Sequence, residues 1–153
     1  MNDRGIKGGR ELDAALKALP AKLERNILRG ALRAGGKVFL EAARARVPVK
    51  SGDLRASLRV RTGAKRGRVS AFLKAGDKKA WYAHLVEFGT RRHWIKPRAR
   101  KSLFFAGIAK EVVDHPGAVD KPFLRPAFEG SADDALRAIA DYVRARLDKE
   151  ARR

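Results

Sequence analysis

The sequence predicts an α+β fold in which a long N-terminal helix and a C-terminal helix pack on an antiparallel sheet of about four strands. Residues 21–46 and the residues after Ser131 carry apolar side chains at spacings of three and four, which indicates amphipathic helices. Between them, short runs of β-branched and aromatic residues alternate with turn residues, which indicates strands. The 153 residues, of which 44% are hydrophobic, are enough for one core and one domain.

The longest helix is predicted over residues 21–46, and a shorter helix over residues 10–19 precedes it. Three glycines interrupt the long helix, and each costs up to about 1 kcal/mol relative to alanine in a helix interior. They predict either a kink or the close approach of another backbone. Pro48 ends the helix, because the residue before a proline avoids the helical region. The glycines are Gly30, Gly35 and Gly36.

The middle of the chain begins with a capped turn or a one-turn helix over residues 51–57. Gly52 permits a positive φ there, and Leu54 is placed to seat the turn on the core. Two strands are then predicted over residues 58–62 and 68–74, with residues 63–67 as the hairpin loop.

Residues 80–90 predict a short helix or a strand that ends at Gly89. Tyr82 and Phe88 supply large apolar area in this segment. Glu87 lies between aromatic residues, and a buried carboxylate needs a partner, for which Arg125 is the candidate.

The C-terminal third is predicted to contain two short strands, over residues 102–106 and 108–113, followed by a turn at residues 115–117. Pro122 and Pro126 stiffen the entry to the last helix, with Phe123 between them as an apolar anchor. Ser131 and Asp134 fit a capping box at the start of that helix. The predicted domain spans residues 10–148, with a flexible N-terminus over residues 1–9 and frayed residues 149–153.

The charge is strongly one-sided, with 36 Lys and Arg against 17 Asp and Glu, a net charge of +19. Such a chain attracts nucleic acid or acidic protein neighbours, and charge alone does not choose between them. The absence of cysteine excludes disulfides and thiolate metal sites. No apolar run approaches the roughly 20 residues of a membrane-spanning helix, so no membrane partner is expected.

The sequence carries no recognisable catalytic, cofactor-binding or metal-binding motif. The nearest approach is His84 with Glu87, three residues apart, without a third ligand. A small hydrolase or nuclease built on this pair is therefore a third hypothesis, and no catalytic residue, cofactor or metal is expected.

A basic loop over residues 91–101 is the most distinctive segment outside the predicted core. It is interpreted either as a phosphate-binding segment in which Trp94 stacks, or as an exposed arm that orders against a neighbouring subunit. The candidate subunit-interface or DNA-facing residues are Arg91, Arg92, Trp94, Lys96, Arg98, Arg100 and Lys101.

Four motifs occur in order: VPVKSGDLRAS at residues 47–57, YAHLVEFGT at 82–90, HPG at 115–117 and KPFLRPA at 121–127. The chain resembles the tail-completion or neck family of long-tailed bacteriophages, related in role to the lambda minor tail protein Z. The resemblance covers roughly residues 20–145. Ser51 stands where the family usually has Thr, and Asp53 where it usually has Ala. The structural motif residues are Pro48, Gly52, Leu54, Tyr82, Glu87, Phe88, Gly89, Pro122, Phe123 and Pro126.

The resemblance implies a non-catalytic structural protein at the head–tail junction of the virion. It implies a homo-oligomer, a hexameric ring that joins tail to head and lets DNA pass, assembled in the cytoplasm of the bacterial host. The partners would be other head–tail connector proteins and tail-terminator or tail-tube proteins, with non-specific contact to genomic DNA. The alternative function is a stand-alone basic nucleic-acid-binding module.

Overall fold

The structure is a computed structural model, and it describes residues 10, 14, 21–97, 103–105 and 108–152. The helix predicted over residues 10–19 and the N-terminus at 1–9 therefore lie almost wholly outside the described residues. The described helices and strands confirm the α+β class. The helices are α1 (Ala21–Arg46), α2 (Asp53–Ser57), α3 (Ala83–Phe88), α4 (Leu124–Gly130) and α5 (Ala132–Ala151). The strands are β1 (Arg59–Lys65), β2 (Arg68–Lys74), β3 (His93–Ile95), β4 (Leu103–Phe105), β5 (Ile108–Lys110) and β6 (Val113–His115).

Helix α1 is the central element, and both α5 and the β1–β2 hairpin pack against it. Its observed bounds confirm the predicted helix, which ends directly before Val47 and Pro48. Its apolar stripe faces α5, so that Ile27, Ala31 and Val143 form one buried cluster. None of the described helices is apolar enough over a sufficient length to cross a lipid bilayer.

The glycines of α1 serve close packing, which confirms the prediction of a close approach. A Cβ on Gly35 would lie 2.8 Å from the side chain of Ile139 and 3.1 Å from the backbone oxygen of Ala135 on α5. A Cβ on Gly36 would lie 2.8 Å from Val60 on β1. Both contacts are made within the chain, so α5 covers Gly35 and β1 covers Gly36.

Strands β1 and β2 form a hairpin of seven residue pairs, from Arg59 opposite Lys74 to Lys65 opposite Arg68. The predicted loop over residues 63–67 is too long, because β1 continues to Lys65 and only two residues turn. Arg66 and Gly67 both have positive φ, +51° and +77°, which is the backbone of a two-residue hairpin turn matched to the strand twist.

The strands pair two by two, which differs from the predicted sheet of about four strands. The described residues contain three separate antiparallel ladders, β1–β2, β3–β6 and β4–β5. The last four strands have only three residues each, too few to extend the hairpin ladder. The hairpin is therefore the sheet layer on which α1 packs.

A second buried cluster joins the C-terminal end of α1 to the segments that follow it. It contains Leu54 from the VPVKSGDLRAS motif, Leu58 directly after it and Phe123 from the KPFLRPA motif, all almost fully buried. Gly52 has φ +87°, as expected for the turn before α2. Motifs far apart in the sequence thus meet in one core.

The predicted capping box at the last helix is wrong. Ser131 is buried, and its hydroxyl donates to the backbone oxygen of Ala127, 2.5 Å away, so it caps no N–H group of α5. Asp134 instead pairs with Arg137 on the exposed face. The reason is the extra helix α4, which turns Ser131 inward at the junction with α5.

We expect Gly35→Ala to destabilise the protein by about 1–3 kcal/mol, because the added methyl group overlaps α5. In an open helix the same substitution would stabilise by about 1 kcal/mol. Urea unfolding followed by circular dichroism measures the change. Gly63→Ala is the control, since no atom lies within 4 Å of its added Cβ. Equal stability of Gly35→Ala and wild type would refute the close packing of α1 and α5.

Candidate interaction surfaces

Glu87 is the most constrained of the predicted motif residues. Its side chain is buried, with 6% exposed, at the C-terminal part of α3. One carboxylate oxygen accepts the backbone N–H groups of Phe123 and Leu124 at 2.8 and 2.9 Å. The other accepts the N–H of Arg125 at 3.1 Å. The expected partner was the guanidinium of Arg125, but the principal partners are backbone amides.

Pro126 completes this arrangement. A helix leaves its first four N–H groups without intrahelical acceptors. At the start of α4, Glu87 accepts three of these N–H groups, and the fourth position is Pro126, which has none to donate. The carboxylate and the proline together leave this helix start fully satisfied.

The pKa of Glu87 is the balance of opposing effects. Burial alone raises the pKa, but the three N–H groups of Leu124, Phe123 and Arg125, with the charge of Arg125, stabilise the anion more strongly. The net result is a pKa below its usual range. Glu87 is therefore a structural carboxylate that stays ionised in the core.

Two glycines bring the segments after α3 and before α4 together. Thr90 and Ala118 exchange backbone hydrogen bonds of 2.9 and 3.0 Å. Gly89 has φ +67°, and a Cβ there would lie 2.7 Å from the oxygen of Ala118. Gly117 has φ +91° and would overlap Thr90 in the same way. These glycines permit the contact that continues into the β3–β6 ladder.

The first part of the predicted basic loop is ordered by this ladder. Arg92 forms a bidentate ion pair with Asp114, whose pKa the guanidinium holds below its usual range. The rings of His93 and His115 lie 5.1 Å apart. Trp94 is 64% exposed, and Arg91 and Lys96 beside it are exposed as well.

Asp114, which is distant in the sequence, thus neutralises part of the positive charge of this loop. The number of charged residues within 91–101 does not show this pairing. Arg98, Arg100 and Lys101 lie outside the described residues. The role of this loop as an interface stays a prediction.

An apolar groove of about 480 Å³ runs between α1, β2 and α4. Phe39 and Phe128 stack in it with ring centroids 4.7 Å apart. Phe128 is nevertheless 60% exposed, and Phe72 at the other wall is 55% exposed. Two half-exposed aromatic side chains beside one groove indicate a surface that another protein covers. The sequence patterns did not predict this groove, because its walls come from segments that are distant in the sequence.

A second apolar groove, of about 620 Å³, combines three of the predicted motifs and shares no lining residue with the first. Pro48 and Val49 form one side, and Tyr82 and Val119 line it from other segments. Val119 is 83% exposed. Two other motif residues, Pro122 and Phe88, are exposed and do not line this groove. Neither contributes to the buried core.

Exposed cations are concentrated on the hairpin and the outer face of α1. The β1–β2 hairpin contains six cations and no acid. A cleft of about 390 Å³ between α1, β1 and α5 is lined by Arg29, Arg33 and Lys37, with no carboxylate among its lining residues.

The His84 and Glu87 pair does not form a metal or acid–base site. Both oxygens of Glu87 are engaged by backbone N–H groups, and Nδ1 of His84 contacts the backbone oxygen of Trp81 at 3.1 Å. Within the described part of the chain, no three His, Cys, Asp or Glu side chains are grouped to hold a metal ion.

Comparison with known proteins gives one match. The family model of bacteriophage HK97-gp10-like tail components matches residues 10–89, more than half of the chain. The chain belongs to the HK97-gp10-like family. No curated protein and no solved structure matches it significantly.

Membership in the HK97-gp10-like family assigns the chain a structural role in the phage virion, in a family of tail components and not of enzymes. The matched residues contain α1, the hairpin and Glu87, whereas the backbone partners of Glu87 lie beyond the match. The match does not address the relation to the lambda minor tail protein Z, which stays a prediction.

We expect Glu87→Gln to destabilise the protein by about 1–3 kcal/mol. The amide NH₂ group would face a backbone N–H group, leaving a buried donor unsatisfied and removing the anion at the start of α4. Thermal unfolding at neutral pH measures the effect. Glu41→Gln, which removes an exposed carboxylate from α1, is the control and should change stability by less than about 0.5 kcal/mol.

The pH dependence provides a separate test of Glu87. A carboxylate with a lowered folded pKa stabilises the protein fully above its unfolded pKa of about 4.3. That contribution is lost as the pH falls through the folded pKa. The stability difference between wild type and Glu87→Gln should therefore narrow progressively below about pH 4. A difference that stays constant from pH 7 to pH 3 would contradict the anionic role.

Proposed function

We propose that the chain is a head–tail junction protein of the virion that forms a ring, with sixfold symmetry, through which the genome passes between head and tail. The observation that carries this proposal is membership in the HK97-gp10-like family over residues 10–89. On this proposal the protein acts by positioning other proteins of the particle. The protein holds neighbours in register and performs no reaction.

The two apolar grooves support assembly into a ring. A closed ring of identical subunits uses heterologous contacts, in which one surface of each subunit meets a different surface of the next. Two separate grooves with no residue in common fit that requirement. Covering Phe72 and Phe128 would contribute about 1.5–3 kcal/mol per side chain.

The net charge places a condition on the ring. Each subunit carries +19, so that copies repel one another in isolation. DNA in the channel, or acidic connector and tail proteins above and below, would offset this repulsion. We therefore propose that the ring forms on its partners, and that the isolated chain is monomeric. Trp94 with Arg91 and Lys96 would then contact a neighbouring subunit.

The alternative of a stand-alone nucleic-acid-binding module has one observation in its favour, the cationic surface of α1 and the hairpin. Family membership favours the junction protein, since a tail component acts within a particle. The two functions differ in where the protein is found, in mature particles or free in the infected cell.

Deleting the gene from the phage genome that encodes it should yield filled heads and separate tails, seen by electron microscopy of lysates. Wild-type protein supplied in trans should restore joined particles. Phe128→Glu should lower the yield of joined particles by at least about tenfold, the effect of losing about 1.4 kcal/mol of contact.

The matched control is Val112→Glu, which adds the same charge at an exposed apolar residue outside both grooves. Circular dichroism checks that both variants fold. Joined, infectious particles in the deletion strain would refute the junction role, and antibody labelling along the tail tube instead of at the neck would refute its placement.

A further inference from the structure

The outer face of α1 carries a regular row of cations. Arg29, Arg33 and Lys37 are all exposed and follow one another at intervals of four residues, which is about 6 Å along a helix. No acid occurs in α1 between Glu24 and Glu41. Among the ion pairs formed within the described residues, none involves these three cations. Their charge therefore faces solvent.

This row forms one wall of a cleft in which six of the eight lining residues carry hydrogen-bond donors. The three cations are joined there by the neutral donors Asn26, Thr62 and Tyr142. Gly30 leaves room for the hydroxyl of Tyr142 against the helix, because any Cβ at that position would overlap the hydroxyl. An anion in this cleft would meet several donors and no carboxylate.

The hairpin carries a second cationic cleft. Lys65, Arg66 and Arg68 line this cleft of about 640 Å³ at the hairpin tip, on the face of the ladder opposite Val60, which packs against α1. Arg66 is the one described residue other than glycine with a positive φ, +51°. Asn, Asp or Gly would occupy that turn position with less strain. An arginine held there at a conformational cost indicates that its charge is used.

The shape of this surface favours a polymer over a single small anion. The cations are exposed, so that each is weakened by water and salt when it acts alone. Along duplex DNA, one negative charge occurs per about 1.7 Å of axis, and each phosphate that is neutralised releases a counterion. The cation row of α1 and the cationic hairpin therefore each gain binding free energy in proportion to the number of phosphates they contact.

The composition of the clefts distinguishes DNA from protein as the ligand. The α1 cleft offers charged and hydrogen-bonding groups and no large aliphatic side chain, as contacts to a sugar–phosphate backbone require. Of the exposed aromatic side chains that a protein partner would cover, Phe128 lies in the first apolar groove, and Phe72 lines both that groove and the hairpin-tip cleft.

We propose that the cation row of α1 and the cationic face of the β1–β2 hairpin both bind the phosphate backbone of duplex DNA, without base recognition. The inference deepens the proposed function, on which its biological setting rests. It places the principal DNA contact on α1 and the hairpin, away from residues 91–97, where Asp114 already engages Arg92.

The test is fluorescence anisotropy of a short labelled DNA duplex titrated with purified full-length chain between about 50 and 200 mM salt. The triple variant Arg29→Gln/Arg33→Gln/Lys37→Gln should bind at least about tenfold more weakly, and the slope of log affinity against log salt should fall by about 2–3.

The matched control is Arg55→Gln/Lys78→Gln/Lys79→Gln, which removes the same charge from exposed positions elsewhere. It should weaken binding less than about threefold and change the slope by less than about 1. Equal losses in both triple variants would overturn the proposal, since net charge would then explain the binding.

A second variant separates a structural role of Arg66 from DNA binding. Arg66→Gly relieves the positive φ and removes one cation, so it should leave the melting temperature unchanged or higher while it weakens DNA binding. Unchanged affinity would remove the hairpin tip from the surface. Labelled polyglutamate is the competing ligand, and equally tight binding to it through the same three cations would overturn DNA as the ligand in favour of an acidic protein.

These outcomes are distinguishable from failure of the proposed function. The anisotropy assay uses the isolated chain and needs no assembly, whereas the deletion experiment scores joined particles. DNA binding through α1 together with normal particles in the deletion strain would refute the junction role and leave this surface standing. Separate heads and tails in the deletion strain, together with a DNA affinity that the α1 triple variant leaves unchanged, would support the junction role and refute this DNA-binding surface.

Discussion

The carboxylate of Glu87 is the interaction on which the arrangement of the chain depends. It joins α3 to the start of α4 across 36 to 38 residues of sequence by accepting three backbone N–H groups. A buried charge is costly unless its hydrogen bonds are complete, and here the completeness extends to Pro126, which removes the fourth donor. Because Phe123 lies at the same helix start and is fully buried, the anion and the core hold each other in place.

Close backbone approach is the second constraint, and glycine supplies it in two places. In α1, Gly35 and Gly36 let α5 and the hairpin pack directly on the helix. Beyond α3, Gly89 and Gly117 let two loops exchange hydrogen bonds. Each glycine weakens its local element, and the surrounding packing offsets that cost only if the neighbouring element is present. These elements are therefore expected to fold together.

The surface is divided by chemistry. Apolar grooves with half-exposed aromatic side chains lie between α1, β2 and α4 and beside the VPVKSGDLRAS segment. Two clefts that are lined by cations and by no carboxylate lie at the outer face of α1 and at the hairpin tip. A structural tail component needs surfaces of both kinds if it holds protein neighbours and accommodates the genome. The same helix, α1, contributes to an apolar groove and to the cationic cleft, so it would couple the two contacts.

Features that depend on neighbours in sequence were predictable from the sequence. The period of apolar residues in 21–46 and the proline after it defined α1, and the β-like run of residues 68–74 defined β2. The four motifs in order indicated a phage tail family, which the family match over residues 10–89 confirms. Pro126, at the third position of α4, also indicated the start of a helix. It did not indicate that Glu87 accepts the N–H groups there.

Only the tertiary structure decided which distant residues meet. The backbone donors to Glu87, the pairing of Arg92 with Asp114, the packing of α5 on the glycines of α1 and the separation of the strands into three ladders all follow from the path of the chain. Propensity and periodicity carry no information about that path, because they describe each segment alone. The cationic cleft shows the consequence, since its parts come from α1, β1 and α5, segments that no local pattern connects.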